Sequence, residues 1–229
     1  MRRIRWFSAN WPLSLRTLAS RMKANAFTED SSDGFLLERA RDSLIEGRYI
    51  EKMSYQEILT DPFGREFTLD RVDYRQVEFG MFADFPHLEI RDAPRSTQAY
   101  MSKLLQLSDF SLTVAPLVVD LIEWVDAFHA EFGRKVVIDS VQISGLEFDS
   151  GVTGRVSLKG GKDVREAVKN ITKNRPYVLN RLQMQVFDGD RISPVQMANT
   201  GSIGLQEQDL NVMYAALRSS LRSVVGPKR

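Results

Sequence analysis

The chain has 229 residues, 43% of them hydrophobic and 27% charged, with no cysteine and a net charge of +1. This length allows one large domain or two small ones, and the composition is that of a globular protein rather than a disordered one. The absence of cysteine excludes disulfides, thiolate nucleophiles and thiolate metal sites. It favours a reducing compartment, for which we expect the cytoplasm.

The near-neutral total conceals a segregation of charge along the chain. Residues 1–24 hold six Arg or Lys and no acid, residues 25–154 hold twelve against twenty-four Asp or Glu, and residues 155–229 hold thirteen against six. Such a layout indicates either a surface that faces nucleic acid or basic ends that pack against the acidic middle. The neutral total favours the second interpretation.

No segment resembles a membrane span. The most apolar stretch, 112–130, contains Asp120, Glu123 and Asp126, and each carboxylate would cost several kcal/mol inside a bilayer. The first seven residues are basic and then aromatic, without the apolar run of a signal peptide. We therefore expect a soluble protein without a membrane partner.

Hydrophobic periodicity and turn residues predict the elements of the N-terminal half. These are a strand at 2–7, a helix from Pro12, a loop at 25–34, a helix at 35–46, strands at 48–60 and 65–82, a short strand at 86–90, and helices at 94–107 and 114–132. Gly47 and Gly133 are predicted to cap the helices before them. The tetrapeptide Asp61-Pro62-Phe63-Gly64 predicts a turn between the long strands, because proline sets φ and glycine tolerates positive φ.

The C-terminal half continues in the same way. Its predicted elements are strands at 135–148 and 154–158, a helix at 162–173, a strand at 177–187, a bent return strand at 191–205 and a helix at 208–225. The Asp-Gly pair at 188–189 favours a hairpin turn. Strands joined by tight turns, with helices between the groups, predict an α+β fold with a largely antiparallel sheet, long bent strands and helices packed on it.

Two stretches of the sequence share an unusual spacing, with apolar doublets every five residues. The first comprises Phe67, Leu69, Val72, Tyr74, Val77 and Phe79, and the second, 69 positions later, comprises Val136, Ile138, Val141, Ile143, Leu146 and Phe148. Because simple alternation would keep one face, each phase jump indicates a bulge or burial on both faces.

Each of these stretches leads into a short strand and a helix, which suggests a duplicated β-β-α unit near 67–107 and 136–173. The alternative is convergence between two long bent strands. We expect a single globular domain over 1–229, with candidate halves 1–132 and 133–229.

Familiar catalytic signatures are missing from the sequence. His87 and His129 are the only histidines, and neither has a second histidine at the spacing of metal ligands. Ser202 lacks the glycine two positions earlier that a nucleophile elbow requires. The sequence therefore predicts no catalytic residue, no metal ligand and no cofactor.

The strongest chemical signal is the basic segment 155–181. On its predicted helix, cations recur every three or four residues and share a face that could contact several phosphates. At the start of that helix, Gly160 and Gly161 could let the backbone approach an anion, although an ordinary turn capped by Asp163 explains them better. The candidate nucleic-acid or anion-binding residues are Lys159, Lys162, Arg165, Lys169, Lys173 and Arg175. A solvated helix face, or docking onto an acidic partner, explains the cations equally well.

Three functions remain open on these grounds. The sequence favours a non-catalytic interaction or assembly subunit of an intracellular complex, with a protein partner or a second copy of the chain. The first alternative is a nucleic-acid-binding accessory protein that uses segment 155–181 and the basic N-terminus. The second is a metal-dependent hydrolase or nuclease with no recognisable motif.

Overall fold

The computed structural model describes residues 1–173 and 175–226. Over these ranges the chain forms eleven β-strands and five α-helices, and its strands pair antiparallel, which confirms the predicted α+β class. Among the described residues, no helix combines the length and apolar character needed to cross a membrane.

The chain divides into two compact units. Unit 1 comprises Met1–Ala9, Phe85–Glu89 and the described part of Val114–Arg229, and unit 2 comprises Asn10–Asp84 and Ile90–Thr113. The strands are β1 (Arg2–Asn10), β2 (Asp33–Arg41), β3 (Leu44–Thr60), β4 (Glu66–Phe82), β5 (Leu88–Arg91), β6 (Thr113–Pro116), β7 (Lys135–Asp149), β8 (Val152–Lys159), β9 (Val178–Asp188), β10 (Arg191–Ala198) and β11 (Ser202–Leu205). The helices are α1 (Leu15–Ala24), α2 (Gln98–Leu107), α3 (Leu121–Phe132), α4 (Arg165–Thr172) and α5 (Glu207–Val225).

Unit 1 is a six-stranded antiparallel arrangement in the order β1-β11-β10-β9-β7-β8, with α3, α4 and α5 contributing to its core. Trp6 and Trp124 lie at the centre of that core, fully buried, with their rings edge to face at 6.1 Å. Their indole N–H groups donate to Glu89 at 2.7 Å and to Ser220 at 3.1 Å. The apolar residues therefore occupy one side of the sheet and leave the other side to polar residues.

Unit 2 is built on β2, β3 and β4, with α1 and α2 as its helices. Four buried aromatic residues, Phe35, Tyr49, Phe79 and Tyr100, form its centre, with ring centroids 5.2–6.0 Å apart for the neighbouring pairs. Aromatic pairs at this separation add to the stabilisation from apolar burial. This cluster anchors the inner ends of β3 and β4.

The helix expected at 35–46 is wrong, because β2 and the beginning of β3 occupy these residues. Their Leu, Glu, Arg and Ala content favours a helix, but pairing of β3 with both β2 and β4 overrides that weak local preference. Gly47 is accordingly a strand residue and not a helix cap. A Cβ atom at Gly47 would lie 2.4 Å from the Leu36 carbonyl oxygen, so glycine allows β2 and β3 to approach there.

The helix expected at 114–132 begins only at Leu121, after β6. Asp120 is its N-cap and accepts hydrogen bonds from the backbone N–H groups of Ile122 and Glu123 at 2.8 and 3.1 Å. Its predicted end is confirmed, since Gly133 adopts φ 69°.

The return strand expected at 191–205 is in fact two antiparallel strands, β10 and β11. The turn between them contains Gly201 at φ 70°. Since β11 also pairs with β1, this hairpin brings the basic N-terminal strand into the sheet of unit 1.

The two stretches with apolar doublets differ in structure. In β7 the register shifts between Ile138 and Ser140 and again between Ile143 and Leu146, so the expected bulges are present. In β4 the register against β3 is continuous and residues 66–74 are exposed, so the expectation of a bulge or of burial on both faces is wrong there. The order strand, strand, helix recurs after both, and duplication stays a prediction, as do the single domain and its halves.

Candidate binding surfaces

Of the six residues predicted from the sequence to bind nucleic acid or an anion, four form no ion pair with a described residue. Lys159 ends β8, Lys162 lies in the following loop, and Lys169 and Lys173 lie on and after α4. All four are exposed, and their ammonium groups form no ion pair or hydrogen bond with a described residue. Three of these lysines lie along the α4 segment, namely Lys162, Lys169 and Lys173. The fourth, Lys159, lies apart from them at the end of β8.

The other two predicted residues hold the structure together. Arg165 donates to the Asp163 carboxylate at 2.9–3.1 Å and to Asp126 at 3.4 Å. Its hydrogen bonds to the Asp163 carboxylate raise the pKa of Arg165. Burial by itself would raise the pKa of Asp163, but the contacts with Arg165 outweigh it and lower that pKa. Arg175 donates to backbone carbonyl groups at the end of α4, including that of Thr172 at 3.0 Å.

The glycine loop before α4 uses its polar groups internally. The Gly160 N–H donates to the Asp139 carbonyl at 2.9 Å, and Asp163 accepts hydrogen bonds from the backbone N–H groups of Ile138 and Arg165. The Asp163 carboxylate therefore occupies the start of α4, where the sequence suggests that an anion could bind. Anion binding by this loop stays a prediction.

Strand alternation in unit 1 creates a polar face opposite the core. Two rows of aligned residues cross six strands on this face, in the order β1, β11, β10, β9, β7 and β8. One row is Arg5, Ser202, Ala198, Arg181, Gln142 and Ser157, and the other is Arg3, Gly204, Gln196, Gln183, Ser140 and Lys159. Basic residues from both ends of the chain therefore meet on one surface.

This polar face contains an open depression of about 900 Å³, which we call the basic depression. Arg3, Arg155 and Arg181 line it together with serine, threonine, asparagine and glutamine side chains. None of the described residues that line it is acidic or aromatic. The guanidinium groups of Arg155 and Arg181 form no hydrogen bond or ion pair with any described residue.

One carboxylate lies close to the basic depression without lining it. Asp139 occupies the bulge of β7 and accepts hydrogen bonds from Gln183 at 3.2 Å and from Gln185 at 2.7 Å. These two amides donate to the Asp139 carboxylate, and Arg155 and Arg181 form no ion pair with it or with any other described residue.

Unit 2 contains a different surface, a long two-stranded ribbon. β2 pairs with β3 only as far as Asp33 opposite Glu51, and β3 and β4 continue together to the pair Thr60 and Glu66. We call residues 52–74 the arm. Its register is continuous, and its turn is closed by Asp61, which accepts hydrogen bonds from the backbone N–H groups of Phe63 and Arg65 at 2.8 Å.

Large apolar side chains are concentrated on the arm. Of the seventeen large hydrophobic residues that are exposed among the described residues, eight lie in this tenth of the chain, each 42–90% exposed. They are Tyr55, Ile58, Leu59, Phe63, Phe67, Leu69, Val72 and Tyr74. The register places them on both faces of the ribbon, since Ile58 and Leu59 are successive residues of one strand.

Apart from Lys52, which donates to the backbone carbonyls of Glu29 and Ser32 at 3.2 and 2.7 Å, the polar contacts of the arm are local. Arg71 pairs with Glu57, and the Gln56 amide donates to Asp70 at 2.9 Å. The arm carries five carboxylates against three cations, so its charge does not suit a polyanion. The apolar arm and the basic depression are therefore surfaces of different chemistry.

The described residues give little support for a catalytic site. Glu89 is the most deeply buried carboxylate, and it accepts hydrogen bonds from Trp6 and from the Tyr214 hydroxyl at 2.5 Å, as a structural group of the unit 1 core would. Within 1–173 and 175–226, no three acidic or histidine side chains cluster as metal ligands would. The metal-dependent hydrolase stays a prediction.

The basic depression combines two charged segments that the sequence identifies separately. The basic N-terminus and segment 155–181 are both recognisable in the sequence, but Arg3, Arg155 and Arg181 come together only through the strand order of unit 1. The sequence does not indicate that the apolar residues of the arm are exposed. Comparison of the chain with protein-family models and with curated proteins gives no match.

Proposed function

We propose that the chain is a non-catalytic assembly subunit that associates with a second copy of itself through the arm. The observation that carries this proposal is the cluster of eight exposed apolar side chains on a two-stranded ribbon. The absence of cysteine supports the cytoplasm as the place of this assembly.

The exposed apolar area of the arm is large enough for a stable interface. Taking roughly 200 Å² for a fully exposed large apolar residue, the eight side chains together present about 900 Å². A typical interface buries about 800 Å² per partner. The two faces of the arm together therefore supply this area, and a partner that covers both faces would bury it.

The two-stranded structure of the arm also favours its burial against another chain. An isolated two-stranded hairpin is marginally stable in water, and unpaired strand edges with apolar side chains invite pairing with another chain. On one face of the arm Leu69 lies opposite Glu57, and on the other face Tyr74 lies opposite Lys52, so each face offers apolar side chains beside charges. A second copy is the partner we infer, because an identical arm offers the same area and most assemblies of soluble proteins are symmetric homo-oligomers.

Light scattering of the purified chain tests this proposal. We expect a mass of twice the 26.1 kDa chain, and we expect Ile58→Thr with Phe67→Thr to return it to one chain mass. Threonine preserves strand preference, while each substitution removes roughly 50–100 Å² of apolar surface per copy, or about 1–2.5 kcal/mol. Because a symmetric interface loses this area twice per substitution, dissociation should strengthen by more than about 100-fold.

The matched control is Ile192→Thr with Val118→Thr, which removes apolar side chains of 56% and 84% exposure from unit 1. The control should keep the mass of the parent chain. A parent chain that is monomeric at all tested concentrations would overturn the proposal, as would equal dissociation by the control substitutions.

A further inference from the structure

The basic depression concentrates positive charge on the polar face of unit 1. Arg155 and Arg181 are exposed and lack any described partner, and the depression has no acidic lining residue. Arginines that only support a fold usually pair with carboxylates or backbone carbonyls, as Arg165 and Arg175 do here. Two unpaired arginines in one depression, here Arg155 and Arg181, are typical of a binding site for an anion.

The separation of the arginines indicates an extended polyanion. Arg3 lies on β1, Arg181 on β9 and Arg155 on β8, at the two sides and near the middle of the six-stranded arrangement. With a strand spacing of about 4.8 Å, they spread over roughly 24 Å. A single phosphate cannot reach all three, whereas the phosphates on both sides of a wide groove can.

The remaining lining residues argue against stacking of bases on the protein and favour recognition of ribose hydroxyl groups. Proteins that bind single strands stack bases on aromatic side chains, and the described lining residues include none. Among the lining amides, Gln183 donates to Asp139 and accepts from Gln196 at 3.4 Å. The Gln142 amide forms no hydrogen bond with a described residue, and an amide can both donate and accept. A ribose 2′-hydroxyl also does both, and it is the group that distinguishes RNA from DNA.

The breadth of the surface favours an A-form duplex. The deep major groove of B-form DNA admits a helix or a two-stranded ribbon, and not a face six strands wide. The minor groove of double-stranded RNA is wide and shallow and displays the 2′-hydroxyls. A broad depression of arginine, amide and hydroxyl groups matches this groove in both shape and chemistry.

We propose that the basic depression of unit 1 binds the minor groove of double-stranded RNA, with Arg3, Arg155 and Arg181 on phosphates and the Gln142 amide on a ribose hydroxyl. This inference goes beyond self-association through the arm. It rests on other residues, so either can fail alone.

Fluorescence anisotropy with the full chain and a short labelled RNA duplex of mixed sequence tests the inference. We expect binding whose affinity falls with salt at a logarithmic slope of roughly −2 to −3, as about three phosphate contacts require. Arg155→Gln with Arg181→Gln should weaken binding at least about 10-fold and reduce the slope by about 2. Circular dichroism should show that this double variant is folded, since both arginines are exposed and unpaired.

The matched control is Lys169→Gln with Lys173→Gln, which removes the same charge from the α4 segment. Its affinity should stay within about twofold of the parent, because these lysines lie outside the depression. If this control lost binding and the arginine variant kept it, the site would be the helix and our assignment would be overturned.

Two further probes separate RNA duplexes from other nucleic acids. A DNA duplex of the same sequence and a 2′-O-methyl RNA duplex should each bind at least about 10-fold more weakly, because both lack the 2′-hydroxyl donor. Equal affinity for the DNA duplex, or tighter binding of a single strand, would overturn the proposal. Equal affinity for the 2′-O-methyl duplex would overturn recognition of the ribose hydroxyls.

Discussion

Two buried tyrosines of unit 2 should respond in opposite directions to the same substitution. Tyr100 is 0% exposed, and its hydroxyl has no hydrogen-bond partner among the described residues. Tyr49 is also buried, but its hydroxyl is hydrogen-bonded to Asp33. Burial raises the pKa of both hydroxyls, and the charges of Asp33 and Glu51 raise that of Tyr49 further, so both stay protonated in ordinary buffers.

The change in the free energy of unfolding depends on whether the deleted hydroxyl has a hydrogen-bond partner. Tyr100→Phe removes a buried polar group that has lost its hydration without gaining a partner, so the free energy of unfolding should rise by about 1–3 kcal/mol. Tyr49→Phe removes a hydrogen bond to a carboxylate, so the free energy of unfolding should fall by about 1.5–3 kcal/mol. For a chain of this length, each kcal/mol moves the melting temperature by about 2–4 °C.

Urea denaturation followed by circular dichroism measures both changes, and each variant serves as the control for the other. A Tyr100→Phe variant less stable than the parent by more than about 1 kcal/mol would refute the reasoning, because a net loss of that size requires a hydrogen-bond partner for the hydroxyl. Equal destabilisation by both substitutions would refute it in the same way.

Two further predictions concern unit 1. Arg165 lowers the pKa of Asp163 against the opposing effect of burial, so their pairing stabilises the fold above the ordinary aspartate pKa and is lost as pH falls through the lower folded-state value. Asp163→Asn should therefore lower the urea midpoint at about pH 7, and its difference from the parent should shrink progressively as pH falls below the ordinary aspartate pKa of about 4; a difference that does not change with pH would contradict this. Gly201→Ala should destabilise by more than about 1 kcal/mol, since φ is 70° and the new Cβ would lie 2.9 Å from Leu117. Gly189→Ala, at φ 62° with no atom within 4 Å, is the control and should cost less in thermal melting.

Local turn chemistry allowed the arm to be predicted, but not its environment. Asp61 and Gly64 close the turn where the sequence indicates it, and the strands on either side run to within a residue of their expected ends there. The apolar doublets of β4 predict a bulge or burial on both faces, because periodicity reports only which residues are apolar. Whether protein or solvent covers them depends on where β2 begins to pair with β3, and no local signal marks that point.

The helix expected at 35–46 failed for a related reason. Its residues favour a helix by composition, and strand pairing with β4, more than thirty residues away, decides their conformation. The basic depression depends on still longer connections, because Arg3 joins Arg181 only after β11 pairs with β1. Sequence patterns identified the charged segments, whereas the strand order determined which of them share a surface.

Self-association through the arm is measured most directly by the distance between spin labels on two copies. The chain has no cysteine, so Thr68→Cys places a single label on the exposed arm, and Glu131→Cys places one on exposed α3 as the control. We predict a strong, short-range dipolar coupling between copies for the label at Thr68, and a weaker one for the label at Glu131. Absence of coupling at Thr68, or coupling only at Glu131, would contradict assembly through the arm.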